Sequence, residues 1–201
     1  MFDAQLRPLI DRLLNPIGRG LVTLGVTANQ VTMIGLAFGL IAAGCAAAGL
    51  FYPALWFVIA NRVIDGLDGA VARASRSSDF GGYLDIVSDF IFYSAIPLAF
   101  AVARPEAALA AAFLIFSFIG TATSFLGFAI LAEKHKVTTQ IRGKKAFYYL
   151  GGLTEGTETI LLFLAMLVWP DYFSLMAIIF GILCWVTTAT RIYAAYRQFN
   201  D

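Results

Sequence analysis

Four carboxylates lie within a stretch of chain that is otherwise apolar enough to cross a lipid bilayer. They are Asp65, Asp68, Asp85 and Asp89, all inside residues 61–90. A charged side chain at the centre of a bilayer costs about 2.5–3.5 kcal/mol or more, so such residues face the protein interior, with partners, and mark function. The chain must therefore adopt a fold that brings these four side chains together inside the protein, away from lipid.

The spacing of the carboxylates predicts how they are gathered. Asp65 and Asp68 are three residues apart and Asp85 and Asp89 are four apart, so each pair shares one face of a helix. A bend near residues 75–79 would bring the two faces together. The result would be a cluster of hard oxygen ligands of the kind that Mg²⁺ prefers.

Composition favours a membrane protein. Hydrophobic residues make up 60% of the 201 residues and the mean hydropathy is +0.79, whereas soluble domains contain about 45–50% apolar residues. We therefore expect an all-α integral membrane protein that forms one domain, residues 1–201. The net charge of +1 is no reason to expect nucleic acid as a partner, and we expect membrane lipids instead.

Six apolar runs have lengths near the roughly 20 residues that a bilayer requires. They are residues 30–51, 54–74, 80–102, 107–132, 147–169 and 173–193. Residues 2–19 repeat apolar positions in steps of three and four, which predicts an amphipathic helix on the membrane surface. The alternative is a helix packed on the rest of the protein. The expected organisation is thus a surface helix, 1–19, followed by a six-helix bundle, 20–201.

Smaller signals refine the helices. Thr27 is a plausible N-cap for the first spanning helix, and Asp79 stands where an N-cap of the third is expected. Gly35 and Gly39 form a small-xxx-small pattern, which can mark close helix packing.

The distribution of Lys and Arg predicts the orientation. Nearly all of them fall on the side of the bundle that holds both termini, and the opposite side receives only Arg104. The positive-inside rule places both termini and the aspartates at the cytoplasmic face.

Small and basic residues accompany the carboxylates. The small ones are Gly66, Gly69, Ala72, Gly81 and Gly82, and the basic ones are Arg73 and Arg76. Glycine lets a ligand approach the backbone closely, and arginine offers a planar fork that matches phosphate oxygens. The combination indicates a binding site for a metal-bound diphosphate. One of the carboxylates could take a proton from an attacking hydroxyl.

The motif Asp65-x-x-Asp68-Gly69-x-x-Ala72-Arg73, followed after seven residues by Gly81-x-x-x-Asp85-x-x-x-Asp89, resembles the signature of the CDP-alcohol phosphotransferase family. The resemblance implies a membrane enzyme that transfers a phosphoalcohol from a CDP-linked donor to an acceptor hydroxyl and releases CMP. It also implies a homodimer.

The same resemblance assigns roles. Asp65, Asp68, Asp85 and Asp89 would ligate two divalent cations, Mg²⁺ or Mn²⁺, and Asp89 would be the general base. The CDP site would comprise Asn29, Asp65, Asp68, Gly69, Ala72, Arg73 and Gly81. The segment TANQVT, residues 27–32, is similar to a segment of many members, with Ala28 in place of the usual proline.

A different reading of the four aspartates is a buried salt-bridge network with Arg62 and Arg73. Arg62 lies three residues before Asp65, so we expect that pair in any case. This network does not explain the whole group, because two arginines cannot compensate four carboxylates. A bound cation would compensate the remaining negative charge.

A second polar group lies near the end of the chain. Glu155 and Glu158 share a helix face, and with Lys144, Lys145 and Arg191 they form a possible acceptor pocket. Interhelical hydrogen bonding is the alternative for the glutamates, and attraction to anionic lipid is the alternative for the lysines. The run FYYLGGLTEGTE, residues 147–158, resembles a small bacterial branch of the family.

Two functions follow. The first is a phosphatidyltransferase of phospholipid synthesis in the bacterial inner membrane, with CDP-diacylglycerol as donor by resemblance. Its acceptor stays open among glycerol 3-phosphate, an inositol phosphate, serine, glycerol and other small polyols. The second is an ion- or proton-coupled transporter, since membrane carboxylates also line ion paths. Against it, the sequence shows no internal repeat.

Overall fold

Seven α-helices make up the part of the chain that the structure, a computed structural model, describes: residues 3–75, 77–135 and 152–200. The helices are α1 (Asp3–Thr23), α2 (Ala28–Ala47), α3 (Phe51–Ala74), α4 (Asp79–Ala103), α5 (Ala108–Lys134), α6 (Gly156–Val168) and α7 (Phe173–Phe199). Single 3₁₀ turns, Pro105–Ala107 and Pro170–Tyr172, precede α5 and α7. No strand occurs within these ranges, as expected for an all-α protein.

Four helical segments are long and apolar enough to cross a membrane. They are Ala28–Ala47, Asp79–Ala103, Pro105–Lys134 and Pro170–Phe199. At about 1.5 Å per residue, the shortest of them spans about 30 Å, the thickness of a bilayer's hydrocarbon core. The 24-residue α3 is not among them, because it carries Asp65, Asp68 and two arginines. These lengths and compositions are those of an integral membrane protein.

The caps of α2 and α4 follow from local sequence. The Thr27 side chain accepts a hydrogen bond from the Gln30 N–H at 3.3 Å, and the Thr27 N–H donates to Oε1 of Gln30 at 2.9 Å. This capping box confirms the predicted start of α2. At α4 the cap is Ser78, which accepts from the Gly81 N–H at 3.0 Å, and the prediction for Asp79 was one residue late. Asp79 is instead the first residue of α4, where its negative charge interacts favourably with the positive end of the helix dipole.

The fifth predicted span is shorter in the structure. We expected a helix over residues 147–169, but residues 152–155 are not helical and α6 runs only from Gly156 to Val168. Glu155 and Glu158 form a capping box at this point, which starts the helix. Residues 147–151 lie outside the described part of the chain.

Close packing joins α2 to α3 and α4 through Gly35 and Gly39. A Cβ atom at Gly39 would lie 2.7 Å from Cδ2 of Phe92 on α4, and one at Gly35 would lie 3.3 Å from Cγ2 of Ile64 on α3. The small-xxx-small pattern therefore marks a real close approach, because the neighbouring side chains occupy the volume that larger residues would need.

Aromatic side chains fill the core between α4, α6 and α7. The rings of Phe100 and Phe173 stack with centroids 4.2 Å apart, and Phe92 meets Phe163 edge-on at 5.9 Å. All four are fully or almost fully buried. Next to this core, Arg104 donates to the Pro170 carbonyl at 2.8 Å and pairs with Asp171. The aromatic contacts and this ion pair hold the second half of the bundle against α4.

Helix α1 lies against α3. A Cβ atom added to Gly18 would come within 2.8 Å of Cβ of Ala70. Nearer the end of α3, Arg73 forms an ion pair with Asp11 of α1 at 2.7 Å. The C-terminal half of α1 is therefore packed on the protein.

The glycine contact of α2 can be tested by substitution. Gly39→Ala places a methyl group against the buried Phe92 ring and should destabilise the protein by about 1–3 kcal/mol. Gly44→Ala, on the same helix with nothing within 4 Å of the added atom, should leave stability unchanged or raise it by about 0.5–1 kcal/mol. Thermal unfolding in detergent measures both, and equal melting temperatures for the two variants would contradict the packing.

Candidate active site

A cleft of about 550 Å³ opens where the N-termini of α2 and α4 meet the C-terminal half of α3. Its lining combines small, hydroxyl and acidic residues: Val22, Gly25, Val26, Thr27, Ala28, Asn29, Thr32, Asp68, Gly69, Ala72, Ser75, Ser77, Ser78, Gly81, Gly82 and Asp85. Helix N-termini favour anions, because their free N–H groups and dipole carry partial positive charge. A cleft between two of them suits an anionic ligand.

Three of the four predicted aspartates converge beside this cleft. Asp65 and Asp68 from α3 and Asp85 from α4 each offer a carboxylate oxygen, and these oxygens all lie within 4.8 Å of one another. The hairpin between α3 and α4 thus brings the two helix faces together. Three carboxylates so close in a membrane-embedded region repel one another unless cationic charge offsets them.

Asp68 is held in place by α2. It is only 7% exposed, and the Thr32 hydroxyl donates to its Oδ2 at 2.8 Å. Thr32 was not among the predicted site residues, although it closes the TANQVT segment, five residues after the helix cap. A polar residue inside an apolar helix was the signal that could have identified it.

Asp89 occupies a different position from the other three aspartates. Its Oδ1 lies 3.2 Å from Nη1 of Arg62, and the same nitrogen lies 3.5 Å from Oδ2 of Asp65. The expected pair of Arg62 with Asp65 is therefore present. The contact with Asp89, which joins two helices, belongs to the alternative reading of a salt-bridge network with Arg62.

The residues of this region fit a divalent cation. A small cavity of about 10 Å³, roughly the space that one water molecule requires, lies among Asp65, Asp68, Ser88, Asp89 and the cationic Arg62. The buried Ser88 hydroxyl has no hydrogen-bond partner among the described residues. Carboxylate and hydroxyl oxygens are ligands that Mg²⁺ and Mn²⁺ accept.

Most of the residues predicted for CDP line the large cleft, namely Asn29, Asp68, Gly69, Ala72 and Gly81. The absence of a side chain at Gly81 matters, because a Cβ atom there would lie 3.0 Å from Oδ1 of Asn29. Small residues therefore keep this part of the cleft open.

Asp65 and Arg73 are placed differently. Asp65 lines the small cavity, and the Arg73 guanidinium is turned towards α1. There it bonds Oδ1 of Asp11 at 2.7 Å and Oδ1 of Asn15 at 3.1 Å. The structure therefore uses Arg73 to hold α1 in place, a contact between residues about sixty positions apart that no local pattern indicates.

The glutamates of the possible acceptor pocket contribute to helix capping. The Glu155 N–H donates to Oε2 of Glu158 at 3.2 Å, and the Gly152 N–H donates to Oε1 of Glu155 at 3.2 Å. Nearby, Thr154 donates to the Thr187 hydroxyl at 3.0 Å. The glutamate bonds are therefore local capping bonds over three residues, and it is Thr154, just before α6, that bonds across to α7.

Arg191 is buried on α7, 7% exposed. Its Nη1 donates to the Thr121 carbonyl of α5 at 3.0 Å, and its guanidinium lies 5.8 Å from the centre of the Phe125 ring. A Cβ atom at Gly152 would come within 3.3 Å of its Nη2, so the segment before α6 lies against it. Lys144 and Lys145 lie outside the described residues.

Fold and site together define an integral membrane protein with an acidic ion site next to a cleft suited to anions. The sequence pattern of the CDP-alcohol phosphatidyltransferase family matches residues 25–193. The chain belongs to this family and is an enzyme of that class. The resemblance drawn from its motif is confirmed, and the transporter alternative is not favoured.

Two relatives match over nearly the whole length. Inner membrane protein YnjF of Escherichia coli strain K12 is 48% identical over 202 residues, covering 100% of this chain and 98% of the relative. Archaetidylinositol phosphate synthase of Pyrococcus horikoshii is 25% identical over 209 residues, covering 98% of each. The first relative and the four apolar segments agree with a bacterial inner membrane protein.

A solved structure shares the fold. Phosphatidylinositol phosphate synthase of Mycobacterium tuberculosis with CDP-DAG bound superimposes with a TM-score of 0.73 at 21% identity, covering 92% of this chain and 94% of that one. The same synthase with manganese and citrate gives 0.71 at 22% identity, covering 91% and 88%.

The acidic group predicts metal binding. Asp68→Asn should weaken Mn²⁺ binding by at least about 10-fold, since losing even a residue that hydrogen-bonds a metal ligand costs about 10–100-fold. Asp79→Asn, an exposed carboxylate in the first turn of α4, is the matched control and should bind Mn²⁺ like the wild type. Titration followed by electron paramagnetic resonance measures free Mn²⁺. Equal affinities for Asp68→Asn and wild type would exclude this site.

Proposed function

We propose that this enzyme transfers the phosphatidyl group of CDP-diacylglycerol to the hydroxyl of a small polar acceptor and releases CMP, as a step of phospholipid synthesis. The observation that carries the proposal is the convergence of Asp65, Asp68 and Asp85 within 4.8 Å at the edge of the cleft. Membership of the family supports the reaction class, and the CDP-DAG complex of the mycobacterial synthase supports the choice of donor.

The cleft would bind the CDP part of the donor. Gly69, Ala72 and Gly81 present little side-chain bulk, so a diphosphate can approach the backbone, and Asn29 adds an amide next to Gly81. The N-termini of α2 and α4 favour its negative charge. The hydroxyls of Ser77 and Ser78, which also line the cleft, can donate to phosphate oxygens.

Asp65, Asp68, Asp85 and Asp89 would hold two divalent cations, Mg²⁺ or Mn²⁺. When bound, such cations neutralise the diphosphate and stabilise the departing CMP. The mycobacterial structure with manganese and the oxygen-rich lining of the small cavity support this assignment.

In the chemical step, the acceptor oxygen would form a bond to the phosphorus that carries the diacylglycerol. The bond from that phosphorus to the bridging oxygen would break, and CMP would leave with the electron pair. The proton of the acceptor would pass to the Asp89 carboxylate, the general base. Helices α3 and α4 contribute by fixing the carboxylates before the donor arrives.

The acceptor would bind near Glu155, Glu158 and Arg191, with Lys144 and Lys145 at the rim. A buried guanidinium such as that of Arg191 recognises anionic oxygen well, which favours an acceptor that carries a phosphate or carboxylate. Glycerol 3-phosphate, an inositol phosphate, serine and glycerol are the acceptors to compare.

In the membrane, we propose that α2 to α7 are the six spans of a single domain, residues 1–201, and that α1 lies along the surface. Both termini and the cleft would face the cytoplasm, in agreement with the positive-inside rule, and the enzyme would form a homodimer. A C-terminal tag that is accessible from outside intact cells would contradict this orientation.

The proposed reaction has a direct assay. Purified protein with radiolabelled CDP-diacylglycerol, Mn²⁺ and the four acceptors should release CMP, and Asp89→Asn should lower the rate at least about 100-fold, the scale of general base catalysis. The control Asp171→Asn, at the turn before α7, should keep the wild-type rate. The proposal would be refuted if the wild type released no CMP with any acceptor or if Asp89→Asn stayed active.

A further inference from the structure

A chain of hydrogen bonds connects α2 to Asp89 through two residues of α3. The Asn61 side-chain amide donates to the Gly35 carbonyl at 2.7 Å, and its Oδ1 accepts from Nε of Arg62 at 2.8 Å. Arg62 in turn donates through Nη1 to Oδ1 of Asp89 at 3.2 Å. Three helices thus contribute to fixing the position of one carboxylate.

The arginine in this chain has little freedom. Its guanidinium carbon lies 4.9 Å from the centre of the Phe92 ring, a cation–π contact, and its side chain is 19% exposed. Asn61 is 3% exposed, and because its NH₂ and its oxygen have different partners, only one orientation of its amide satisfies both.

Helix α2 leaves space for this hydrogen-bond network at its glycines. A Cβ atom at Gly39 would lie 3.2 Å from Nδ2 of Asn61 as well as 2.7 Å from the Phe92 ring, and one at Gly35 would reach 4.0 Å from Nδ2. Gly39 therefore makes room for Asn61 and Phe92, the residues that hold Arg62, whereas the close neighbour of Gly35 is Ile64. This gives Gly39 a role at the active site in addition to helix packing.

We propose that Arg62, anchored by Asn61, is the positioning residue for Asp89; this rests on the proposed function. Arg62 holds one oxygen of the Asp89 carboxylate and so fixes the direction of its other oxygen towards the acceptor hydroxyl. Its permanent positive charge, 3.2 Å from Asp89 and 3.5 Å from Asp65, also weakens the attraction of these two carboxylates for divalent cations.

Charge alone cannot fill this role. Arginine bonds Asn61 through Nε and Asp89 through Nη1, on separate nitrogens of one rigid plane, whereas lysine offers a single ammonium on a flexible stem. The geometry therefore distinguishes a positioning function, which needs the planar group, from charge compensation, which lysine also provides.

The test compares Arg62→Gln and Arg62→Lys in the intact protein with two readouts. The first is CMP release from CDP-diacylglycerol in a mixture of glycerol 3-phosphate, inositol phosphate, serine and glycerol. The second is Mn²⁺ affinity without substrate. Arg62→Gln should lower kcat about 100-fold, the scale for a misplaced catalytic group, with the KM for CDP-diacylglycerol within about 3-fold of the wild type, because the donor cleft is untouched.

The same variant should bind Mn²⁺ at least about 3-fold more tightly, because a positive charge next to two carboxylates is removed. A merely structural role of Arg62 would not produce these opposite changes, because unfolding lowers both kcat and Mn²⁺ affinity. Arg62→Lys should keep the wild-type Mn²⁺ affinity and still lose at least about 10-fold in kcat. Arg104→Gln removes the arginine that pairs with Asp171, outside the acidic group and the cleft, and should change neither readout.

Full turnover in Arg62→Lys would overturn the positioning role, as would joint loss of Mn²⁺ affinity and kcat in a folded Arg62→Gln protein. If Arg62→Gln does not fold, the kcat of Arg62→Lys decides whether Arg62 has a positioning role. A wild-type protein that releases no CMP would refute the proposed function, and the Mn²⁺ affinities would then decide alone. Tighter binding in Arg62→Gln would support an action of Arg62 on the acidic group, and unchanged binding would overturn it.

Discussion

Mutual repulsion among carboxylates in a membrane-embedded site is the constraint on which this structure depends. Asp65, Asp68 and Asp85 present oxygens within 4.8 Å of one another, an arrangement that is unfavourable in a low dielectric until cationic charge enters. The fold offsets part of this cost with Arg62 and with the hydroxyl of Thr32. The remaining negative charge is what would attract divalent cations to the site.

The close packing of α2, α3 and α4 makes this arrangement possible. Gly39 lets the backbone of α2 come near enough for Asn61 to reach the Gly35 carbonyl of that helix, and Asn61 in turn orients Arg62. A side chain larger than hydrogen at Gly39 would therefore disturb both the core, through Phe92, and the position of Asp89. Stability and the geometry of the site are coupled through the same few atoms.

Local patterns predicted part of this site, and long-range contacts account for what they missed. Spacing of three and four residues placed the aspartates on common helix faces, and Thr27 was identified as a cap because capping is a local interaction. Arg73 was expected at the nucleotide, but its partner Asp11 lies on another helix, which spacing cannot indicate. The start of α6 was missed because hydropathy does not register a capping box inside an apolar run.

The proposed reaction requires the aspartates of α3 and α4 to hold divalent cations against a cytidine diphosphate group. Anomalous X-ray diffraction from crystals grown with Mn²⁺ and CDP-diacylglycerol can locate these cations. We expect manganese peaks within coordination distance of the Asp65, Asp68 and Asp85 oxygens, with the donor's diphosphate on the cleft side of the metal. Manganese bound elsewhere, with these carboxylates bonded only to basic side chains, would contradict this requirement.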